Sequence, residues 1–313
     1  MSSSLGQPLL TFPDADRSPL SIRAKALVFA DPRSQVLRER MQALAPGALP
    51  VLIHGETGTG KELLARHLHK ASDRPGMFVS VNCGALSPTY AQAELFGHAP
   101  GASPGSAASR AGWFGSANGG TLYLDEIADL PLPIQAALLE ALENHEVLRV
   151  GATQPTPVDV RLIAASSIEL GQAVAVGKFN ERLWRYLDEG RLRLPALRER
   201  PGDILPLAEY FLGIYSQRLG LPTPTFSEAA MQRMLAHGWP GNTRELENII
   251  HFALLVSEGP CIEARHLSQA GIGANSSRLE DHLALCLRTG DAHSRAATLV
   301  LLRRYAVELE KNS

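Results

Sequence analysis

Short apolar segments alternate with helical segments between residues 49 and 167. The apolar segments are LPVLIHG (49–55), MFVSVNC (77–83), TLYLDEI (121–127) and VDVRLIAASS (158–167). The segments between them, such as GTGKELLARHLHKAS and PIQAALLEALENHEV, carry apolar residues at the spacing of an α-helix. Strands that alternate with helices predict a parallel sheet that is covered on both faces by helices. The sequence therefore predicts an α/β fold for this part of the chain.

The sequence changes in character on both sides of this region. Residues 1–22 are rich in Ser, Pro and Asp, which predicts a flexible leader before an α/β domain at 23–205. Residues 206–272 contain helical segments and no convincing strand, which predicts a small all-helical domain. Residues 273–313 begin with the linker-like ANSSR and are predicted to end in a short helical tail.

Composition limits the compartment and the partners. The 313 residues are 45% apolar, and their formal net charge of −2 gives no overall reason to expect nucleic acid or an anionic membrane. Cys83, Cys261 and Cys286 are widely spaced and odd in number, which favours a reducing compartment over a disulfide framework or a zinc site. No signal peptide is visible, and no stretch approaches the roughly 18 apolar residues of a membrane span. We therefore expect a cytoplasmic protein without membrane contact.

The segment GETGTGK (55–61) joins the first apolar segment to the helix that follows it. Its glycines allow backbone N–H groups to turn toward phosphate oxygens, while the helix N-terminus and Lys61 add positive charge. The next residue is Glu62 rather than Ser or Thr, so the usual hydroxyl ligand of Mg²⁺ is absent. A glycine-rich turn with a solvated lysine is the alternative interpretation. The candidate nucleotide-binding residues are Gly55, Glu56, Thr57, Gly58, Thr59, Gly60, Lys61 and Glu62.

Two adjacent acids, Asp125 and Glu126, come at the end of the apolar segment TLYLDEI. An aspartate in this position can hold Mg²⁺ through water, and a neighbouring glutamate can polarise an attacking water. Taken alone, two acids at a strand end could form a solvated turn. Downstream of a phosphate loop, they indicate a site for ATP or GTP.

Several motifs together point to one family. They are GETGTGKE, NCGAL (82–86), ELFGH (94–98), GGTLYLDEI (119–127), LPALRERPGDI (194–204) and WPGNTRELEN (239–248). Over about residues 27–270 the chain resembles the AAA+ domain of bacterial enhancer-binding proteins, the sigma-54 activators, in which Glu62 after the lysine is itself usual. The resemblance implies an AAA+ P-loop NTPase with a helical lid that assembles as a homo-oligomer, typically a hexamer. It also implies that hydrolysis of ATP, with Mg²⁺, remodels the closed complex of sigma-54 RNA polymerase.

The resemblance assigns catalytic roles to three residues near the strand ends. It makes Asp125 the Mg²⁺ ligand and Glu126 the residue that activates water. It makes Asn82 the switch that moves Glu126 between hydrolysis states. Without the resemblance, a polar cap at a strand end is the simpler interpretation of Asn82.

The resemblance also assigns the two nucleotide sensors. Arg244 in GNTREL would be the second sensor, which reaches from the helical lid toward the nucleotide. A lone arginine at the start of a helix is usually solvated, so this role depends on the motif. Ser166 would lie at the first sensor, and Ser167 replaces the asparagine that is common there.

The loop that contacts sigma-54 in this family reads GAFTGA. The matching residues here are Gly101, Ala102, Ser103, Pro104, Gly105 and Ser106. The phenylalanine that could anchor an interface is replaced by serine, and proline removes a backbone donor and stiffens the tip. The downstream residues Arg110, Gly112 and Phe114 are retained, so the change is a substitution rather than a misalignment. It weakens the expected contact with sigma-54.

A second departure concerns the arginines that reach a neighbouring subunit's nucleotide. The family pattern is G-x-F-R-x-D-L-x-x-R-L, and this chain has GKFNERLWRYL (177–187). Asn180 and Tyr186 occupy the two arginine positions, while Arg182 and Arg185 stand nearby and could replace them. An arginine of this kind increases the rate of nucleotide hydrolysis by a factor of about 10³–10⁵. The alternative is that both are surface charges on a helix.

The C-terminal tail also departs from the family pattern, at the position of a tight turn. Residues 296–306, AATLVLLRRYA, occupy the register of a Fis-type helix-turn-helix, but Val300 stands where the turn glycine is expected. Arg295, Arg303 and Arg304 could contact DNA phosphates. They could equally form the polar face of a short packed helix.

Two functions are consistent with these patterns. The first is an ATP-dependent transcriptional regulator that remodels sigma-54 RNA polymerase. The second is a regulatory module that binds ATP and assembles with itself or another activator without activating sigma-54. A metabolic kinase or GTPase is disfavoured, because the GNTREL and ELFGH segments have no role there.

Overall fold

The chain forms two compact units. The computed structural model describes residues 9–11, 26–101, 110–257 and 259–270. The first unit contains Lys25–Asp203 together with Pro240–Arg244, and the second contains Ile204–Trp239 and the described residues from Glu245 onward. The segment Pro240–Arg244, which the sequence groups with 206–272, thus belongs by its contacts to the α/β unit.

Strands and helices alternate through the first unit as the pattern predicts, and the described residues of both units contain the following elements. The strands are β1 (Leu9–Thr11), β2 (Ala26–Val28), β3 (Val51–His54), β4 (Phe78–Asn82), β5 (Thr121–Asp125), β6 (Glu146–Val147), β7 (Thr156–Pro157), β8 (Arg161–Ser166), β9 (Arg191–Arg193), β10 (Thr225–Phe226) and β11 (Cys261–Ile262). The α-helices are α1 (Pro32–Leu44), α2 (Lys61–Ala71), α3 (Ala91–Phe96), α4 (Gly112–Ser116), α5 (Leu132–Asn144), α6 (Leu170–Ala175), α7 (Glu181–Asp188), α8 (Ile204–Leu219), α9 (Glu228–Ala236), α10 (Asn242–Val256) and α11 (Ala264–Gln269). The main sheet has the order β4-β5-β8-β3-β9, and all of its neighbouring strands are parallel. The predicted α/β class with a parallel sheet is confirmed.

Helices cover both faces of this sheet. Leu122 and Leu124 of β5 belong to an apolar cluster that includes residues of α3, α4, α5 and α7. Tyr123, which lies between them, belongs to a second cluster with residues of α1 and α2. All three side chains are fully buried. A central parallel strand buried on both sides can therefore be continuously apolar, as TLYL is.

Short strands correct two predictions and add one strand that was not predicted. Leu9–Thr11 pairs antiparallel with β2, so the predicted flexible leader is wrong for these residues. Arg191–Arg193 joins the main sheet beside β3, where no strand was predicted. β10 and β11 pair in parallel within the domain predicted to be all-helical. Strands of two or three residues are too short to produce a recognisable hydrophobic period.

The second unit is mainly helical. The helical segments predicted within 206–272 are confirmed as α8, α9 and α10. Ser227 caps α9, since its side chain accepts a hydrogen bond from Ala230 N at 3.2 Å. Trp239 is fully buried, and its indole N–H donates to Met234 O at 2.9 Å.

Several predictions fall wholly or partly outside the described residues. They include the tail at 273–313, Cys286 and most of the leader. Within the described part of the chain, no helix is long and apolar enough to cross a membrane. Cys83 and Cys261 are free thiols.

Candidate functional site

Several of the predicted site residues lie at the carboxyl edge of the parallel sheet. The glycine-rich loop follows β3, Asn82 ends β4, Asp125 ends β5 and Ser166 ends β8. The carboxyl ends of parallel strands lie at one edge, and in open α/β sheets this edge is where ligands bind.

The glycine-rich loop has a backbone that depends on its glycines. Gly58 and Gly60 have φ values of +82° and +105°, a region that other residues rarely adopt. A Cβ atom at Gly58 would also lie 2.4 Å from Gly241 O, far inside van der Waals contact. Gly60 stands at the N-cap position of α2, so the loop turns directly into a helix N-terminus.

Lys61 connects this loop to the acids of β5. It is the first residue of α2 and only 7% exposed. Its Nζ donates to Gly55 O at 2.9 Å and to Glu126 Oε1 at 3.0 Å. The ammonium group is thus directed at an anion within the site, which excludes the alternative of a solvated lysine.

Glu126 is held by hydrogen bonds from two elements. Besides Lys61, its Oε2 accepts from Ser167 N at 2.9 Å and from Ser167 Oγ at 2.8 Å. Burial raises the pKa of the Glu126 carboxyl, but the hydrogen bonds from Ser167 and Lys61 outweigh burial and leave that pKa below its ordinary value. The residue has φ +51°, an uncommon conformation for glutamate that is concentrated at functional sites.

Asp125 has a different environment from its neighbour. Its Oδ1 accepts a hydrogen bond from Tyr123 Oη at 3.0 Å. Burial is the largest effect on the carboxyl and raises the pKa of Asp125 above its ordinary value. A nearby cation would reverse this shift, because it would stabilise the charged carboxylate.

Asn82 has the capping role that was the alternative interpretation. Its Oδ1 accepts from Gly84 N at 3.0 Å and caps the 3₁₀ turn Cys83–Ala85. Asn82 is also the register partner of Asp125, so it lies beside the acids. Its role as a switch for Glu126 stays a prediction.

The two predicted sensor residues, Ser166 and Arg244, make different kinds of contact. Ser166 is fully buried, and its hydroxyl donates to Ile168 O at 2.7 Å. Ser167, not Ser166, contacts Glu126, because successive residues at a strand end point in opposite directions. The Arg244 side chain is exposed, while its backbone N–H donates to Gly58 O at 3.3 Å. The sensor role of the Arg244 side chain stays a prediction.

Arg182 and Arg185 lie on the exposed surface of α7, where their side chains are 74% and 72% exposed. Arg182 Nη2 is 3.1 Å from Glu143 Oε1, and Arg185 Nη2 is 2.5 Å from Glu181 Oε1. Asn180 accepts from Leu183 N at 3.1 Å and caps the helix. Exposed positions of this kind are consistent with two interpretations. The arginines could act on the nucleotide of another subunit, or they could be ordinary surface charges.

The predicted sigma-54-contact loop lies mostly outside the described residues, which end at Gly101 and resume at Arg110. Its base is an antiparallel bridge in which His98 N donates to Arg110 O at 3.0 Å and Arg110 N donates to His98 O at 3.1 Å. The rings of Phe96 and Phe114 stack with centroids 5.6 Å apart. Two of the retained downstream residues, Arg110 and Phe114, are therefore in contact with the ELFGH segment (94–98).

Two further contacts were not predicted, and both are made by Glu56 of the glycine-rich loop. Arg198 Nη1 donates to Glu56 Oε2 at 2.8 Å, and Asn242 Nδ2 donates to the same oxygen at 3.0 Å. These hydrogen bonds lower the pKa of the Glu56 carboxyl to about 2. The bond from Arg198 has the larger effect, and the bond from Asn242 adds to it. Asn242 lies two residues before Arg244 in the motif GNTREL, in which the sequence predicted a role only for the arginine.

Comparison with known families gives the same assignment. A family described as the sigma-54 interaction domain matches residues 27–193, and an AAA+ ATPase lid domain matches residues 198–282. The chain belongs to the sigma-54 activator family. The resemblance seen in the sequence is therefore confirmed, and the fold of this family member is that of an AAA+ P-loop NTPase with a helical lid.

Proteins similar to this member of the family cover most of its chain. The sigma54-dependent transcriptional activator SfnR of Pseudomonas putida is 51% identical over 260 residues, which are 83% of this chain and 71% of SfnR. The transcriptional regulatory protein FlbD of Caulobacter vibrioides is 45% identical over 240 residues, 76% of this chain and 53% of FlbD. NtrX from Brucella abortus in complex with ATP superposes with a TM-score of 0.72 at 32% identity, over 83% of this chain and 58% of NtrX. The chain thus spans less than two thirds of FlbD and NtrX.

The residues present fit a nucleotide and its metal ion. The turn at Gly58 and Gly60 leaves no side chain in the loop at these positions, and Lys61 is buried and directed at an anion. Among the described residues, no group of three or more His, Cys, Asp or Glu could hold a metal ion. A metal at Asp125 would therefore need phosphate oxygens and water as its other ligands, which is the usual coordination of Mg²⁺ with nucleotides.

Proposed function

We propose that this chain is an ATP-dependent transcriptional regulator that hydrolyses ATP in a ring-shaped homo-oligomer, a hexamer by family resemblance, and thereby remodels sigma-54 RNA polymerase. One observation carries the proposal: Lys61, Asp125 and Glu126 converge at one edge of the sheet in a member of this family. A regulator without hydrolysis would not need a water-activating acid there. The NtrX complex with ATP supports ATP as the nucleotide.

Each of these groups has a defined chemical task. Lys61 would neutralise the outer phosphates, and Asp125 would hold Mg²⁺, which neutralises phosphate charge when it is bound. Glu126 would accept a proton from the attacking water. It must first leave Lys61, since phosphate oxygens compete for the same ammonium. Ser167 would then still orient the carboxylate through Oε2.

A second function is favoured by the substitutions in GASPGS and at Asn180 and Tyr186. In this proposal the chain binds ATP and assembles with itself or another activator but does not activate sigma-54. DNA contact through the tail at 273–313 stays a proposal in both cases. A protein that acts on bacterial RNA polymerase would work in the cytoplasm.

Open-complex formation by sigma-54 RNA polymerase separates the two functions. The protein is added at high concentration, to bypass tethering on DNA, with ATP and in parallel with a known activator and the Lys61→Ala variant. We expect ATP-dependent open complexes with the wild type and none with the variant. Absence of open complexes beside a working activator would support the non-activating module instead.

We expect Arg182→Ala or Arg185→Ala to lower ATP turnover by about 10³-fold or more, but only in assembled protein. The reason is that a guanidinium on the exposed surface of α7 can act only on a neighbouring subunit's phosphates. Turnover is measured across a range of protein concentrations. Arg265→Ala, an exposed arginine in α11, is the control. An equal loss in dilute monomer would show that neither arginine acts across a subunit interface.

A further inference from the structure

Three consecutive carbonyl groups of the glycine-rich loop accept hydrogen bonds from residues distant in sequence. Thr57 O accepts from Asn242 Nδ2 at 3.1 Å. Gly58 O accepts from the backbone N–H of Arg244 at 3.3 Å. Thr59 O accepts from Arg200 Nη2 at 3.1 Å. The carbonyl side of the loop is therefore held by two other segments of the same unit.

This arrangement sets the direction of the loop's N–H groups. In a trans peptide the C=O of one residue and the N–H of the next point in opposite directions, and the described chain has no cis peptide bonds. Fixing the carbonyls of Thr57 and Thr59 therefore fixes the N–H groups of Gly58 and Gly60 on the other side. The N–H of Thr59, between them, donates to Glu56 O at 3.3 Å, so the N–H groups that can face an anion in this way are those of Gly58 and Gly60.

Asn242 is the centre of this arrangement. It is fully buried, and its φ of +54° is a conformation that asparagine tolerates better than most residues. Its amide donates to Thr57 O and to Glu56 Oε2, while its Oδ1 accepts from Leu197 N at 2.8 Å. One side chain thus connects the loop backbone, the loop carboxylate and the segment that carries Arg198.

We propose that Asn242 is a positioning residue that holds the glycine-rich loop in its phosphate-binding conformation through the Thr57 carbonyl and the Glu56 carboxylate, without contacting the nucleotide itself. Arg198 supports this role of Asn242, because the hydrogen bond from Arg198 keeps the Glu56 carboxylate charged and in place. The inference rests on the proposed function only in that ATP or ADP is the ligand. A loop that is already ordered binds more tightly, because less conformational entropy is lost on binding.

The test is the substitution Asn242→Gly. Glycine accepts the positive φ, so the change removes the side-chain hydrogen bonds without imposing backbone strain. We expect the Kd for a fluorescent ADP analogue to rise about tenfold or more, and deuterium uptake in residues 55–62 of the nucleotide-free protein to increase. The control is Asn144→Gly, the same change at an exposed position in the last turn of α5. A purely structural role would lower the melting temperature and leave the affinity of the folded protein unchanged.

A second variant keeps the inference testable if Asn242→Gly does not fold. Glu56→Ala removes a partly exposed partner of Asn242 and Arg198, and we expect a smaller loss of affinity in the same direction. Wild-type affinity in every folded variant of the pair would overturn the positioning role. Failure of the wild type and of Asn144→Gly to bind the analogue would instead contradict the proposed function.

Discussion

Glu126→Gln is expected to lower the rate of ATP hydrolysis by about 10²–10⁴-fold while ATP binding is retained, because a positioned general base contributes about that much. The glutamine oxygen can still accept from Ser167 N and Oγ, so the side chain keeps its position. It cannot take a proton from water at neutral pH. Single-turnover hydrolysis and equilibrium binding of ATP measure the two effects separately.

The ion pair with Lys61 adds a second expectation for the same variant. In the wild type the Lys61 ammonium is bonded to Glu126 Oε1 at 3.0 Å and must be released before it can contact phosphate. The neutral glutamine competes less for the ammonium, so the affinity for ATP should equal or exceed that of the wild type. Glu140→Gln, an exposed glutamate on α5, is the control. Steady ATP turnover in Glu126→Gln would exclude Glu126 as the activating residue.

The sequence predicts those parts of the site whose position depends on residues that are adjacent in the chain. The glycines of GETGTGK and the acids of TLYLDEI lie directly at strand ends, so the alternation of strands and helices places them at one sheet edge. α10 is one of the helical segments predicted within 206–272, because NTRELENIIHFALLV carries apolar residues at helical spacing. In each case the determining interaction lies within one element or at its end.

The parts that the sequence did not predict depend on contacts between distant residues. Asn242 and Glu56 are 186 positions apart, and no local period connects them. Arg161 would be expected at the surface, yet it is buried, and its guanidinium donates to Ala45 O and Leu44 O at the end of α1. A buried cation that satisfies helix-end carbonyls becomes evident only once the strands are paired. The same reason explains why Ser167, adjacent to the predicted Ser166, was not recognised as the partner of Glu126.

Lys61→Ala is expected to raise the Kd for ATP by about 100-fold, which under ordinary assay conditions abolishes binding. The side chain is buried at the start of α2 and supplies the only ammonium that the described structure directs at Glu126, where the phosphates would compete for it. The loop N–H groups and the helix N-terminus provide only partial charges. They cannot replace a full charge at that position. Isothermal titration with ATP measures the loss.

The matched control is Lys70→Ala, an exposed lysine in the last turn of the same helix, which should bind ATP as the wild type does. Comparison of the two variants separates a specific contact at the phosphates from a general loss of positive charge on α2. Removing Lys61 also leaves Glu126 Oε1 without its ammonium partner, so thermal stability must be followed in the same samples. If Lys61→Ala remains folded and binds ATP with wild-type affinity, the backbone of the loop alone holds the phosphates, and the lysine serves only to pair with Glu126.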